Sequence, residues 1–266
     1  MYHRRKNRWF LLPLTGLIFA ALVLGGCGQS LAGTITVGGS TTVQPLAEKW
    51  AKAFEAQNPE GKVIIQGGGS SAGVKGCAQG VLDIGAASRE LKSSEISEYP
   101  DLVVAHVAAD GVAIVVHPSN DTADLILGKV RNIFAAGSGD TWTVVNREEG
   151  SGTREVFEEK VMAGTKVSTN AEFLPSSGAV KQKIASTANA IGYISLGYVD
   201  SSVKAVSVGG VTCNEANCLN GSYPVTRYLN FITKGKPEGL TKEFIDFCLS
   251  AEGQKIVEEE GYISIK

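Results

Sequence analysis

Two hydrophobic periods alternate along this chain. Short runs rich in Val, Ile and Thr at 34–37, 62–66, 102–107, 112–116, 142–145, 191–195, 203–208 and 226–233 have the composition of β-strands. Between the first two the period lengthens. Val43, Leu46, Ala47, Trp50, Ala51 and Phe54 fall at i, i+3, i+4, i+7, i+8 and i+11, one apolar stripe, while Glu48, Lys49, Lys52 and Glu55 take the other face. Asn58-Pro59 ends that helix. Weaker helical patterns cover 71–79, 122–136, 152–162, 178–187 and 241–258. Strands alternating with helices predict an α/β protein with largely parallel sheets. The chain has no internal repeat and no long low-complexity linker, so two domains would be joined along strands. Asp110-Gly111, between two of the runs, is the expected first crossing.

The first 26 residues follow another pattern. Arg4, Arg5, Lys6 and Arg8 precede an apolar run at 10–24, too short to span a bilayer comfortably and suited to a signal-peptide core. The run ends in Leu24-Gly25-Gly26-Cys27, which resembles the bacterial lipobox, whose Cys becomes the lipidated first residue of the mature protein. Residues 1–26 are expected to be a lipoprotein signal peptide, and 27–32 a tether anchored by lipid at Cys27. The plainer alternative is an ordinary signal peptide with a chance Cys.

Composition narrows the function classes. The 266 residues suit one large domain or two modest ones, and 43% apolar with 20% charged is an ordinary globular mixture. Loss of 1–26 would remove four of the 25 basic groups and none of the 27 acidic ones, moving the formal charge from −2 to −6. A chain so balanced is not built to coat nucleic acid or an anionic membrane surface. Three His leave few ligands for a transition-metal enzyme. Cys213 and Cys218, in a polar segment, suit a small disulfide-closed loop in an oxidising compartment, and a zinc site there would need two more ligands. Cys77 and Cys248 sit among apolar or small neighbours, as buried thiols or as a pair.

Glycine, at 32 residues, is the compositional outlier, and its placement carries the candidate chemistry. Val37-Gly-Gly-Ser-Thr-Thr-Val43, Gln66-Gly-Gly-Gly-Ser-Ser-Ala-Gly-Val74 and Asn146-Arg-Glu-Glu-Gly-Ser-Gly-Thr-Arg154 each follow a strand and open a helix. The first N–H groups of a helix lack intrahelical acceptors, and the helix dipole adds partial positive charge there. Glycine admits a ligand close to the backbone, and Ser or Thr hydroxyls add neutral donors, so such turns bind oxyanions without a basic surface. One such segment is equally an ordinary N-cap. Three, with Arg147 four residues before Ser151, point to an anion site at the carboxyl ends of the strands. Glu149 is placed to pair with Arg147; the alternative is a solvated loop arginine. Leu82-Asp-Ile-Gly-Ala-Ala-Ser-Arg-Glu90 adds Ser88 and Arg89, each a ligand group or a turn residue with a solvated neighbour.

Other motifs compete. Gly69-Ser-Ser-Ala-Gly73 matches the nucleophile elbow of serine hydrolases with Ser71 as nucleophile, but only His106 and His117 follow as candidate bases. Gly67-Gly-Gly-Ser-Ser-Ala72 fits a loose dinucleotide fingerprint before too short a helix, and no phosphate-binding Gly-x-x-x-x-Gly-Lys-Ser/Thr loop occurs.

In their order, these segments resemble the phosphate-binding proteins of bacterial phosphate ABC transporters, within the periplasmic-binding-protein-like superfamily, type II. The resemblance covers essentially the whole mature chain, through Gly39-Ser-Thr-Thr-Val-Gln-Pro-Leu46, Gly69-Ser-Ser-Ala-Gly-Val-Lys75, Asp83-Ile-Gly-Ala-Ala-Ser-Arg89, Arg147-Glu-Glu-Gly-Ser-Gly-Thr153, Ile191-Gly-Tyr-Ile-Ser195 and Phe244-Ile-Asp-Phe-Cys-Leu-Ser-Ala-Glu-Gly253. It implies two Rossmann-like α/β lobes joined by hinge strands, 33–109 plus 200–266 as lobe I and 110–199 as lobe II, closing on a dehydrated phosphate in the cleft. Thr41 would donate through its hydroxyl and Thr42 through its backbone N–H, with Ser40 as a helper. Ser70, with Ser71 close by, would donate from the second turn. Arg147 would be the charged ligand, and Ser151, Gly152 and Thr153 would complete the cage. The resemblance further implies an exported monomer without cofactor, metal or catalysis, which hands inorganic phosphate to membrane permease subunits and binds no nucleic acid.

One position departs from a branch of the family. There an Asp stands where this chain has Ser88 and accepts the proton of bound phosphate, which disfavours sulfate. A hydroxyl either donates or accepts, so that basis of selectivity weakens here. The alternatives are a receptor for sulfate, molybdate or tungstate, an exported hydrolase or phosphatase using Ser71, and a surface sensor or adhesin that keeps the binding fold.

Overall fold

The structure, a computed structural model, describes Met1 and residues 32–266. The expected leader, Cys27 and the tether up to residue 31 lie outside the described residues. β1 (Gly33–Gly39), α1 (Gln44–Gln57), β2 (Gly61–Gln66), α2 (Ser70–Ala78) and β3 (Ile84–Ala87) form a parallel unit with β1 between β2 and β3. α3 (Ser93–Glu98) leads into β4 (Leu102–Val116), the longest strand described. β5 (Asp124–Leu125), α4 (Leu127–Ala136), β6 (Thr143–Arg147), α5 (Gly152–Phe157), a π-helical turn at Glu158–Met162, β7 (Glu172–Leu174), α6 (Ser177–Ser186) and β8 (Ala190–Ser195) follow. After a 3-10 turn at Leu196–Tyr198 come β9 (Lys204–Val208), α7 (Glu215–Leu219), β10 (Thr226–Lys234), α8 (Gly239–Cys248) and α9 (Ala251–Glu259).

The strands run in the order β2-β1-β3-β10-β4-β8-β6-β7, with β9 also paired to β4 and β5 paired to β9. β6 is parallel to β7 and β8, whereas β10 is antiparallel to both β3 and β4. β4 pairs with β10 from Leu102 to Gly111, then with β8 from Val112 to Val116. The runs at 102–107 and 112–116, expected as two strands, are therefore one, and its partner changes at Asp110-Gly111.

Two apolar cores flank that change. In the first, the α1 stripe meets the sheet: Trp50 is fully buried, lies edge-on to Phe231 at 5.7 Å, and donates from its indole to the Gly253 carbonyl at 2.8 Å. Phe54, Phe244 and Val257 fill the same core. In the second, Phe134, Val144, Val180 and Ile191 surround Phe157 and Tyr193, whose rings stack at 4.0 Å. Each such side chain withdrawn from water stabilises by about 1.5–3 kcal/mol. Val203, Val206, Val208, Tyr223 and Val225 pack in the second core, although the sequence grouped 200–266 with the first. The physical reason is that β9 hydrogen-bonds to the second half of β4.

Other expectations shift at element ends. The pattern at 122–136 resolves into β5 and α4, that at 152–162 into α5 and the π-helical turn, and that at 241–258 into α8 and α9. The expected Cys213–Cys218 disulfide is not formed: both are free thiols. Their sulfurs converge on Gly111, where a Cβ would come within 2.6 and 2.8 Å of them. The hydrogen bond between the two thiols, together with burial, pushes Cys213 up, which keeps it protonated. Cys77 and Cys248 are buried in separate clusters and do not pair.

Candidate oxyanion site

The three glycine- and hydroxyl-bearing turns stand at the carboxyl ends of β1, β2 and β6 and open α1, α2 and α5. A fourth such turn follows β7: Ser176 caps α6 by accepting from the Ala179 N–H, and Ser177 is the first helical residue. Hydrogen bonds join the turns.

Arg147, 2% exposed at the end of β6, is the hub. Its Nε and Nη2 donate to the two Glu148 carboxylate oxygens at 2.8 and 2.7 Å. Nη1 donates to Ser177 Oγ at 3.0 Å, and Nη2 also to Thr41 Oγ1 at 3.1 Å. The carboxylate that fixes Arg147 is thus Glu148, not the expected Glu149, and the guanidinium is not in solvent. Thr41 Oγ1 also accepts from the Ser177 N–H at 3.3 Å, so the hydroxyl's own proton is free to donate elsewhere. Thr42 Oγ1 lies 2.9 Å from Thr153 Oγ1 and 3.2 Å from Ser177 Oγ. The Thr42 N–H, expected to face a ligand, donates to Ser40 Oγ at 3.2 Å. Tyrosines hold the carbonyls of the same turn: Tyr198 donates to Thr41 O at 2.6 Å and Tyr262 to Thr42 O at 2.8 Å. Burial pushes the Tyr198 phenol up to about 12, so it stays a donor at neutral pH.

A second cluster adjoins the first. Ser70 Oγ accepts from the Ser88 N–H at 3.1 Å and lies 3.4 Å from Ser88 Oγ. Gly152, the first residue of α5, closes against both: a Cβ there would collide with Ser70 Oγ and come within 2.8 Å of Ser88 Oγ, so any larger residue would displace these hydroxyls. Ser151 caps α5, its Oγ accepting from the Arg154 N–H at 3.3 Å. Arg227 links the clusters by donating to Thr153 Oγ1 at 2.9 Å and to the Ser88 carbonyl at 3.1 Å. Its other N–H groups clasp Asp110 Oδ2 at 2.9 and 2.7 Å.

The structure therefore gathers Thr41, Thr42, Arg147 and Thr153 in one cluster and Ser70, Ser88 and Gly152 in the next, with Ser40 and Ser151 capping the turns. All of them are buried, at most 9% exposed, so their hydrogen bonds are sheltered from water. Ser71 stands apart: its Oγ meets Arg89 Nη2 at 3.0 Å and Glu155 Oε1 at 3.4 Å. The two histidines proposed as its base are elsewhere, His106 on Asn230 and His117 on Ser119. Ser177, Glu148, Arg227, Tyr198 and Tyr262 were not singled out from the sequence. Ser177 had a signal, since Ser176-Ser177-Gly178 repeats the hydroxyl–glycine pattern of the other turns. Arg227, inside a strand, had none. Among the described residues no group of three or more His, Cys, Asp or Glu is arranged to hold a metal ion.

Residues 28–252 match the model of the PBP superfamily domain. The chain belongs to the PBP superfamily, among its phosphate-binding proteins. One PBP-superfamily relative, phosphate-binding protein PstS of Bacillus subtilis, is 32% identical over 286 residues, which cover 98% of this chain and 95% of the relative. PstS of Pseudomonas aeruginosa is 29% identical over 89% of this chain and 84% of its own. Among solved structures, a phosphate ABC transporter substrate-binding protein of Clostridium perfringens, determined with bound phosphate, superposes with a TM-score of 0.83 at 39% identity, covering 88% of this chain and all of that one. The fold is accordingly the α/β periplasmic-binding-protein-like one read from the sequence.

Proposed function

We propose that this protein is an extracytoplasmic solute-binding lipoprotein that captures inorganic phosphate and delivers it to the permease of a phosphate ABC transporter, without catalysis or cofactor. The observation that carries the reading is the meeting of four hydroxyls from three separate turns on one buried arginine: Thr41 and Ser177 on Arg147, with Thr42 and Thr153 against them. The names of the relatives, and the phosphate bound by the Clostridium perfringens protein, support the same ligand. Phosphate is held by Ser40, Thr41, Thr42, Ser70, Ser88, Arg147, Ser151, Gly152 and Thr153, joined by Ser177, with Ser71 at the margin. The protein acts as a monomer of two lobes that close on the anion. With β9 packed in the second core, the return crossing falls near Thr226, giving 33–109 plus 226–266 and 110–225 as the lobes. Lipid on Cys27 tethers the chain at the cell envelope.

A second reading, a receptor for another tetrahedral oxyanion such as sulfate, has one observation in its favour. Both carboxylates near the cluster are committed to arginines, Glu148 to Arg147 and Asp110 to Arg227, and the position at the cluster is the neutral Ser88. Calorimetric titration with phosphate and then sulfate separates the two. The phosphate reading predicts saturable one-to-one binding of phosphate and weaker binding of sulfate. Sulfate binding without phosphate binding would overturn it. Release of phosphate from a phosphomonoester, lost in Ser71→Ala, would instead establish the enzyme.

A further inference from the structure

Arg227 lies on β10, outside every motif of the sequence, and is 8% exposed. It stands directly opposite Asp110 in the β10–β4 ladder, at the place where β4 exchanges β10 for β8. Asp110 is fully buried; one oxygen takes the Arg227 fork, and the other accepts from Ser195 Oγ at 2.7 Å and the Leu196 N–H at 3.1 Å. The remaining Arg227 nitrogen, Nη1, reaches Thr153 Oγ1 in the first turn of α5 and the Ser88 carbonyl just beyond β3. One guanidinium thus joins both long strands to both halves of the oxyanion site.

An arginine N–H only donates, and a guanidinium keeps its protons at any physiological pH. Thr153 Oγ1 must therefore accept from Arg227, which leaves the threonine proton to point elsewhere. Here the neighbour on that side is Thr42 Oγ1, at 2.9 Å. We propose that Arg227, clasped by Asp110, is a positioning residue of the anion site: it fixes Thr153 as a donor and ties the α5 turn to Ser88, raising anion affinity without touching the anion. The inference rests on the phosphate reading above. Asp110 cancels most of the guanidinium charge, so the effect runs through hydrogen-bond direction rather than long-range attraction. A lysine would keep the charge, but its single ammonium cannot fork onto Asp110 and also reach both Thr153 and Ser88.

A double-mutant cycle on the purified protein tests this, with phosphate affinity read by calorimetry. Arg227→Lys is expected to weaken phosphate binding by about tenfold or more in the native background, and by less than about threefold when Thr153 is already Val. Should the lysine variant fail to fold, Asp110→Asn with Arg227→Met removes both charges together, leaves no ion unpaired, and enters the same cycle with the same expectation. Equal losses with Thr153 and with Val at 153 would overturn the proposal and make the pair a strut only. Native protein that binds no phosphate would overturn the phosphate reading and this inference together.

Discussion

The four hydrogen bonds that Arg147 donates here divide between one carboxylate and two hydroxyls, so the guanidinium is held from behind by Glu148 while Thr41 and Ser177 stand on it. Truncating one partner of a buried, hydrogen-bonded charge pair costs binding about 2–5 kcal/mol. Arg147→Ala is therefore expected to lower phosphate affinity at least about thirtyfold, measured by calorimetry beside a circular-dichroism check of folding. Single residues show where sequence reasoning reaches its limit. The hydroxyls of 40–42 and 151–153 were legible because each sits between a strand pattern and a helix pattern, a position with unpaired donors. Which neighbouring carboxylate takes Arg147 was not legible, since Glu148 and Glu149 both lie within reach and only the backbone direction after β6 chooses. Arg227 looks like any solvated strand charge until the antiparallel ladder sets Asp110 opposite it.

Among the elements, α1 followed its apolar stripe closely, because a continuous 3.6-residue period names both the helix and its buried face. The same rule misled at 241–258, where the period runs on through a break between two helices. Ser250 makes the break by capping α9: its Oγ accepts from the Gly253 N–H at 3.1 Å. Ser250→Ala is expected to cost about 1 kcal/mol and to lower the melting temperature by about 2–4 °C, leaving phosphate affinity unchanged. α3 contributes through charge. Glu95 binds Arg89 at 2.8 Å, and Arg89 reaches on to Glu155 of α5 at 2.7 Å. Burial opposes the charge on Glu95, but hydrogen bonds from Arg89 and the Lys92 N–H, with both cations nearby, hold its carboxyl below the ordinary range. A carboxyl depressed in the fold stabilises above its unfolded pKa, near about 4.3, and loses that contribution as pH falls through the depressed value. The stability advantage of the native protein over Glu95→Gln should therefore be constant above about pH 5 and shrink in stronger acid, as followed by urea unfolding.

At the scale of the whole molecule, two cores share one run of paired strands, and β4 pairs with β10 on the side of the first core and with β8 and β9 on the side of the second. The fold class was legible from alternating strand and helix periods. The placement of β9 was not, because the apolar run at 203–208 states that a strand forms there and not which strand receives it. A chain of net acidic charge and an anion site are compatible for a structural reason. The carboxylates nearest the site are turned onto arginines, and the groups that meet at its centre are hydroxyls, helix N-termini and glycine backbone. The most direct test is a crystal structure of the purified protein grown with phosphate. One phosphate is expected within hydrogen-bond distance of Arg147, Thr41, Ser70 and Thr153, with Glu148 still on Arg147 and Asp110 still on Arg227. Phosphate bound elsewhere, with these hydroxyls still bonded to one another, would contradict the proposed site.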